Sequence, residues 1–173
     1  MNRMRLVEEL TRSMRDSAPA APQAARRSTY LHPGQMLVAS KPHAVTTVLG
    51  SCVGVCLHDR RLGIGGINHF LLPSGGVGPA TNRIGATAMP ALIREMHKLG
   101  CQSRDMEASV FGGACVLDAF RGREDHIGVQ NAEVALAYLR GEGIRITEQD
   151  IGGDHGRKLR FHTDDGSVSV QQI

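Results

Sequence analysis

Short apolar runs, each ended by glycine or by polar residues, follow one another through most of this chain. In residues 53–57 nearly every position is apolar or small, as in a strand that is buried on both faces. Similar runs, bounded by turn-forming residues, are typical of strands. They predict further strands at residues 36–41, 45–49, 63–68, 108–111, 144–148, 158–162 and 168–171.

Two segments have the spacing of amphipathic helices instead. Residues 89–99 place apolar side chains on one helical face, and Gly100 follows as a C-terminal cap. Pro90 lies in the first turn of this helix or kinks a longer one that starts earlier. Residues 131–140 predict a second helix, with Asn131 as a candidate N-cap. The two helices do not alternate regularly with the strands. This order predicts an α+β fold in the form of a layered β-sandwich.

The first 30 residues differ in composition from the rest of the chain. Residues 17–25 are rich in proline and alanine and have no pattern that would bury a face. The full length of 173 residues suits one domain. We expect a flexible N-terminal extension at residues 1–30 and a folded domain at residues 31–173.

Charge and composition exclude several classes of function. The formal net charge of +3 comes entirely from residues 1–32, because the remaining 141 residues hold 14 basic and 14 acidic groups. With neither a basic body nor any tryptophan, the chain is not expected to bind nucleic acid. No apolar run approaches a membrane span or a signal-peptide core, so we expect a cytoplasmic protein without membrane insertion.

Four cysteines occur, and in a cytoplasmic chain they are expected as thiols. They form no CxxC pair, so no metal site is expected. Cys52 and Cys56 are too far apart in one strand, about 13 Å, to form a redox disulfide. Cys56, Cys101 and Cys115 are interpreted as packing residues.

Cys52 gives the strongest signal of chemistry. It follows a Leu-Gly-Ser turn at the start of a buried strand, and His69 ends the next strand. A hairpin would bring the two together, and a cysteine nucleophile needs a nearby base such as histidine. A third polar group is needed to orient the imidazole, and Thr46 is the candidate. The alternative is that Cys52 is only a small buried hydrophobe.

Five blocks of sequence resemble those of the CheD family of chemoreceptor glutamine deamidases, in the family's order. The blocks are LGSCVGVCL at 49–57, GINHFLLP at 66–73, VFGGA at 110–114, IGVQN at 127–131 and DIGGDHGRK at 150–158. Two positions depart from the family pattern, namely Ile84 after Arg83 and Ser109 after Ala108. Neither departure touches the proposed catalytic residues.

The resemblance implies a Cys-His-Thr triad whose offsets fall on Thr46, Cys52 and His69, with Thr47 as a neighbouring alternative for the orienting group. It also implies a fold like that of the cytotoxic necrotizing factor deamidases, a layered β-sandwich of mixed sheets with two or three helices packed on one side. Backbone N–H groups at Gly50 and Ser51 are candidates for binding the oxyanion.

The implied activity is the hydrolysis of glutamine side chains on chemoreceptor cytoplasmic domains to glutamate, without a metal or organic cofactor. A CheC-type phosphatase is an implied partner. The alternative function is that of a non-catalytic adaptor that binds receptors or CheC.

Overall fold

The strands of the computed structural model, which describes residues 26–75, 81–116 and 125–173, form two sheets. The four-stranded sheet has the order β1 (Arg27–Tyr30), β3 (His43–Leu49), β8 (Arg157–His162), β9 (Val168–Gln172). The five-stranded sheet has the order β2 (Met36–Ala39), β5 (Ile64–Phe70), β4 (Val53–Asp59), β6 (Met106–Gly112), β7 (Arg145–Ile151). The pairs β1–β3 and β6–β7 are parallel and the others antiparallel, so both sheets are mixed.

Two helices, α1 (Gly85–Lys98) and α2 (Ile127–Gly141), pack on the outer face of the five-stranded sheet. The outer core, between helices and sheet, includes Val55, Leu57, Phe70, Leu92, Met96 and Leu139. The inner core, between the two sheets, includes Val45, Leu49, Cys56, Ile67, Phe111 and Leu159. The layers confirm the predicted α+β sandwich with helices on one side. Neither helix of the described chain has the length and apolar character that crossing a membrane requires.

Helix α2 begins earlier than the sequence pattern predicts, whereas α1 matches one of its two predicted alternatives. Helix α1 contains Pro90 in its interior, so the longer of the two predicted forms is the one observed. A proline cannot donate to the carbonyl four residues before it. The hydroxyl of Tyr138 on α2 donates to that carbonyl, the one of Ala86, at 3.0 Å. The contact between the helices therefore compensates for the missing bond.

The prediction of Asn131 as a helix N-cap is wrong. The N-cap of α2 is His126, whose ring nitrogen accepts a hydrogen bond from the Gly128 N–H at 3.1 Å. Asn131 lies in the second turn and is fully buried. Its side chain is used elsewhere, at the turn before β4.

The described fold starts before the predicted domain boundary at residue 31. β1 pairs with β3, and the guanidinium of Arg26 forms an ion pair with Asp164 at 2.9 Å. Backbone pairing thus places residues 27–30 in the domain despite their polar sequence. The rest of the predicted extension, residues 1–25, lies outside the described residues.

Candidate active site

The turn at residues 50–52 carries the chain from β3 in one sheet to β4 in the other, and its carbonyl groups are all engaged. The N–H groups of Ala114 and Gly113 donate to the carbonyls of Gly50 and Cys52, both at 2.8 Å. The side-chain amide of Asn131 donates to the carbonyl of Ser51 at 3.0 Å. Since N–H and C=O point in opposite directions across a trans peptide, the Ser51 and Cys52 N–H groups face away from these partners.

Glycine at position 112 permits this close packing. Gly112 has a φ of 106°, which side-chain-bearing residues rarely adopt, and a Cβ there would overlap the carbonyl oxygen of Cys52. The last residue of β6 therefore lies directly against the turn that carries the thiol.

Cys52 and His69 lie on the same face of the five-stranded sheet, the face that covers the inner core. Gly54 is directly opposite His69 in the β4–β5 register, and Cys52 is two residues before Gly54. Because side chains alternate along a strand, Cys52 is a diagonal neighbour of His69, about 7–8 Å away between Cα atoms. Gly54 has no side chain to fill the space between them. The hairpin expected from the sequence is thus present.

The third group at the site is Thr47. Its Oγ1 lies 2.9 Å from His69 Nδ1 and 2.7 Å from the carbonyl oxygen of Leu31. The single hydroxyl proton is donated to Leu31, so the hydroxyl oxygen accepts from Nδ1–H of His69. His69 then carries its proton on Nδ1 and a lone pair on Nε2. Nε2 is buried and has no hydrogen-bond partner among the described residues.

The prediction that Thr46 orients His69 is not what the geometry shows. Within β3, Val45, Thr47 and Leu49 are buried while Thr46 is only partly buried. Side chains alternate with a period of two, so Thr46 points to the opposite face of its sheet. Thr46, six residues before Cys52, therefore lies on the face of β3 that points away from His69. Its neighbour Thr47 makes the contact instead.

Burial sets the protonation states of the pair. It lowers the pKa of His69 to about 4, with the carbonyl of Leu31 opposing this shift and nearby His32 adding to it. Burial also raises the pKa of the Cys52 thiol, and the thiol's own backbone N–H opposes that shift. At neutral pH the resting site therefore holds a thiol and a neutral imidazole rather than an ion pair.

Two of the other cysteines, Cys56 and Cys101, are buried. Cys56 is buried in the inner core, where burial raises its pKa well above the usual value. Cys101 lies near Asp59, and its pKa is raised to about 11, chiefly by burial. Within the described ranges, no group of three His, Cys, Asp or Glu residues could hold a metal ion.

Asn131 is the site residue that sequence reasoning missed. Its amide nitrogen donates both to Ser51, as above, and to the carbonyl of Leu71 at 2.8 Å, two residues after His69. Its neighbours on the buried face of α2 are apolar or small, including Gly128 and Ala135. A polar amide on an otherwise apolar helical face was the available signal.

The family model and the curated relatives that match this chain carry the same family name. A family model described as CheD chemotactic sensory transduction matches residues 71–172. A probable chemoreceptor glutamine deamidase CheD 1 of Anaeromyxobacter dehalogenans is 44% identical over 161 residues, which cover 91% of this chain and 94% of that protein. A probable chemoreceptor glutamine deamidase CheD of Stenotrophomonas maltophilia is 47% identical over 144 residues, 83% of this chain and 72% of that protein. The hypothetical protein YfiH of Bacillus licheniformis has a structure similar at a TM-score of 0.43 and 18% identity, covering 75% of this chain and 61% of that one.

Proposed function

The chain belongs to the CheD family, and we propose that it is a cysteine-dependent deamidase that converts glutamine side chains of chemoreceptors to glutamate. Its relatives are named for that activity. The observation that carries the proposal is the hydrogen bond from His69 Nδ1 to Thr47, which leaves Nε2 as a base with no partner in the described part of the chain, on the face that holds Cys52. Cys52 is the nucleophile, His69 the general base and acid, and Thr47 the residue that orients His69.

The first half of the reaction forms a thioester. His69 Nε2 takes the thiol proton while the Cys52 sulfur bonds to the carbon of the glutamine amide. The carbonyl oxygen becomes an oxyanion, which accepts hydrogen bonds from the Ser51 and Cys52 N–H groups. The proton on Nε2 then passes to the amide nitrogen, the C–N bond breaks, and ammonia leaves.

The second half regenerates the enzyme. His69 Nε2 takes a proton from water, whose oxygen bonds to the thioester carbon. The C–S bond breaks, the sulfur recovers a proton from His69, and the product is a glutamate side chain. One water is consumed for each ammonia released.

The neutral resting pair determines when the thiolate forms. With the pKa of His69 lowered and that of Cys52 raised, the proton rests on sulfur. Transfer becomes favourable only as the sulfur bonds to the substrate carbon and charge moves to the oxyanion. We therefore assign a general-base mechanism, in which proton transfer accompanies attack.

Ammonia release from a purified receptor cytoplasmic domain tests the proposal, with the receptor analysed by mass spectrometry for the gain of about 1 Da per converted glutamine. The wild type is compared with Cys52→Ser, in which a far weaker nucleophile replaces the thiol. Cys56→Ala is the matched control, since it removes a thiol from the same face of β4. We expect release from the wild type and the control and none from Cys52→Ser.

Equal activity in the wild type and Cys52→Ser would refute the role of Cys52. Retained receptor binding with no ammonia from any variant would favour the adaptor function instead. As part of the same proposal, the protein acts in the cytoplasm, where it also binds a CheC-type phosphatase. The relatives' names support the receptor substrate, and the CheC partner rests on the family resemblance.

A further inference from the structure

We propose that Asn131 is a positioning residue that, through the carbonyl of Ser51, holds the Cys52 N–H as a donor to the oxyanion formed during acyl transfer. This inference rests on the proposed deamidase function and deepens it. Asn131 contacts neither the thiol nor the imidazole in the described hydrogen bonds. It acts from α2, the helix layer behind the turn.

The planarity of the peptide group links Asn131 to the Cys52 N–H. The Ser51 carbonyl and the Cys52 N–H belong to one peptide unit, in which the two bonds point in opposite directions. The 3.0 Å hydrogen bond to the Ser51 oxygen therefore fixes the direction of the Cys52 N–H. That N–H therefore points away from α2, toward the inner-core side on which the Cys52 side chain lies.

The second bond of Asn131 links the turn to the histidine strand. The same amide nitrogen donates to the Leu71 carbonyl at 2.8 Å, just beyond the end of β5. The two carbonyls come from segments on either side of the β4–β5 hairpin, and a primary amide has two N–H groups to satisfy both. The position of the Cys52 peptide is thus set relative to the strand that carries His69.

Packing alone does not account for an asparagine here. Asn131 is fully buried, and its Oδ1 has no hydrogen-bond partner among the described residues. An unpaired buried acceptor is destabilising, and the neighbouring buried positions Ala132 and Ala135 are apolar. The side-chain NH₂ group of Asn131, which donates to Ser51 and Leu71, is therefore the part that matters for the site.

Steady-state deamidation of the receptor domain by Asn131→Ala tests this role. Releasing one oxyanion donor from its position is expected to lower kcat by about 10- to 100-fold and to change KM less than about threefold. Alkylation of Cys52 by iodoacetamide forms no oxyanion, so its rate is expected to stay within about threefold of the wild type. Tyr138→Phe is the matched control, since it also removes one bond from α2 to a backbone carbonyl.

Asn131→Asp provides a second readout that a purely structural role would not produce. A protonated carboxyl donates one hydrogen bond and a carboxylate donates none. Burial raises the pKa of such a carboxyl, so its protonated fraction grows as the pH is lowered from 8 to about 5. The kcat of Asn131→Asp relative to the wild type is therefore expected to rise over this range. This test remains available if Asn131→Ala does not fold.

Three results would overturn the inference while leaving the deamidase function intact. They are an Asn131→Ala kcat within about threefold of an active wild type, a fall in the alkylation rate as large as the fall in kcat, and an Asn131→Asp ratio that does not change with pH. An inactive wild type would instead refute the proposed function itself.

Discussion

Replacing Thr47 with valine removes the hydroxyl that orients His69 while keeping the side-chain volume. The change leaves the Leu31 carbonyl and the Nδ1–H of His69 without the partner that each has now. A buried polar group that loses its partner costs about 1–3 kcal/mol. If the loss at His69 falls wholly on the transition state, kcat decreases about 5- to 150-fold, since each 1.4 kcal/mol is a factor of ten.

Two further variants make the assay specific. Thr47→Ser keeps the hydroxyl, so we expect it to retain kcat within about threefold of the wild type. Thr46→Val alters the neighbour that faces away from His69, and we expect a change of less than about threefold. Initial rates of ammonia release from a receptor domain give kcat and KM, and thermal unfolding shows how much of each effect is a loss of stability.

A loss of activity in Thr46→Val with full activity in Thr47→Val would refute the assignment of Thr47. It would mean that β3 presents the other face to His69 when substrate is bound. A loss of activity in Thr47→Ser with full activity in Thr47→Val would instead show that the methyl group, not the hydroxyl, matters at this position.

Three other predictions follow from the same geometry. Because His69 must be neutral to accept a proton and its pKa is about 4, kcat/KM should stay level from pH 8 to 5 and fall as acid approaches pH 4. Because the pKa of Cys52 is raised, the rate of its alkylation by iodoacetamide should keep rising beyond pH about 8.5, and a plateau near neutrality would contradict the neutral resting pair. Gly112→Ala should lose at least about 10-fold in kcat and melt at a lower temperature, because its Cβ would overlap the Cys52 carbonyl. Gly141→Ala is the control, since a Cβ there has open space, and it should have neither effect.

The strands could be predicted because apolar runs and turn residues mark them locally. Residues 53–57 and 63–68 lie within or overlap the central strands β4 and β5. The choice between the short and the long form of α1 could not be made from the sequence, because the bond that compensates for Pro90 comes from the Tyr138 hydroxyl on the other helix. A contact between residues 52 positions apart leaves no trace in a local pattern.

The candidate site divides in the same way. The proximity of Cys52 and His69 could be predicted, since a turn and two consecutive strands bring them together. The orienting residue could also have been chosen by strand alternation, because Thr47 shares the inward face with Leu49. What no local pattern contains is the Leu31 carbonyl, which takes the Thr47 proton and so determines the tautomer of His69.

A neutral hydroxyl behind His69 has an electrostatic consequence that a carboxylate would not have. An aspartate at that position would stabilise the imidazolium and raise the pKa of His69, which would favour a standing thiolate–imidazolium pair. Thr47 donates its proton to Leu31 and adds no charge, so burial controls the pKa of His69 and the sulfur keeps its proton. A thiol is far less reactive than a thiolate toward oxidants and stray electrophiles. In the proposed mechanism, Cys52 therefore stays a thiol until a substrate amide reaches it and the developing oxyanion accepts hydrogen bonds from the N–H groups of the turn.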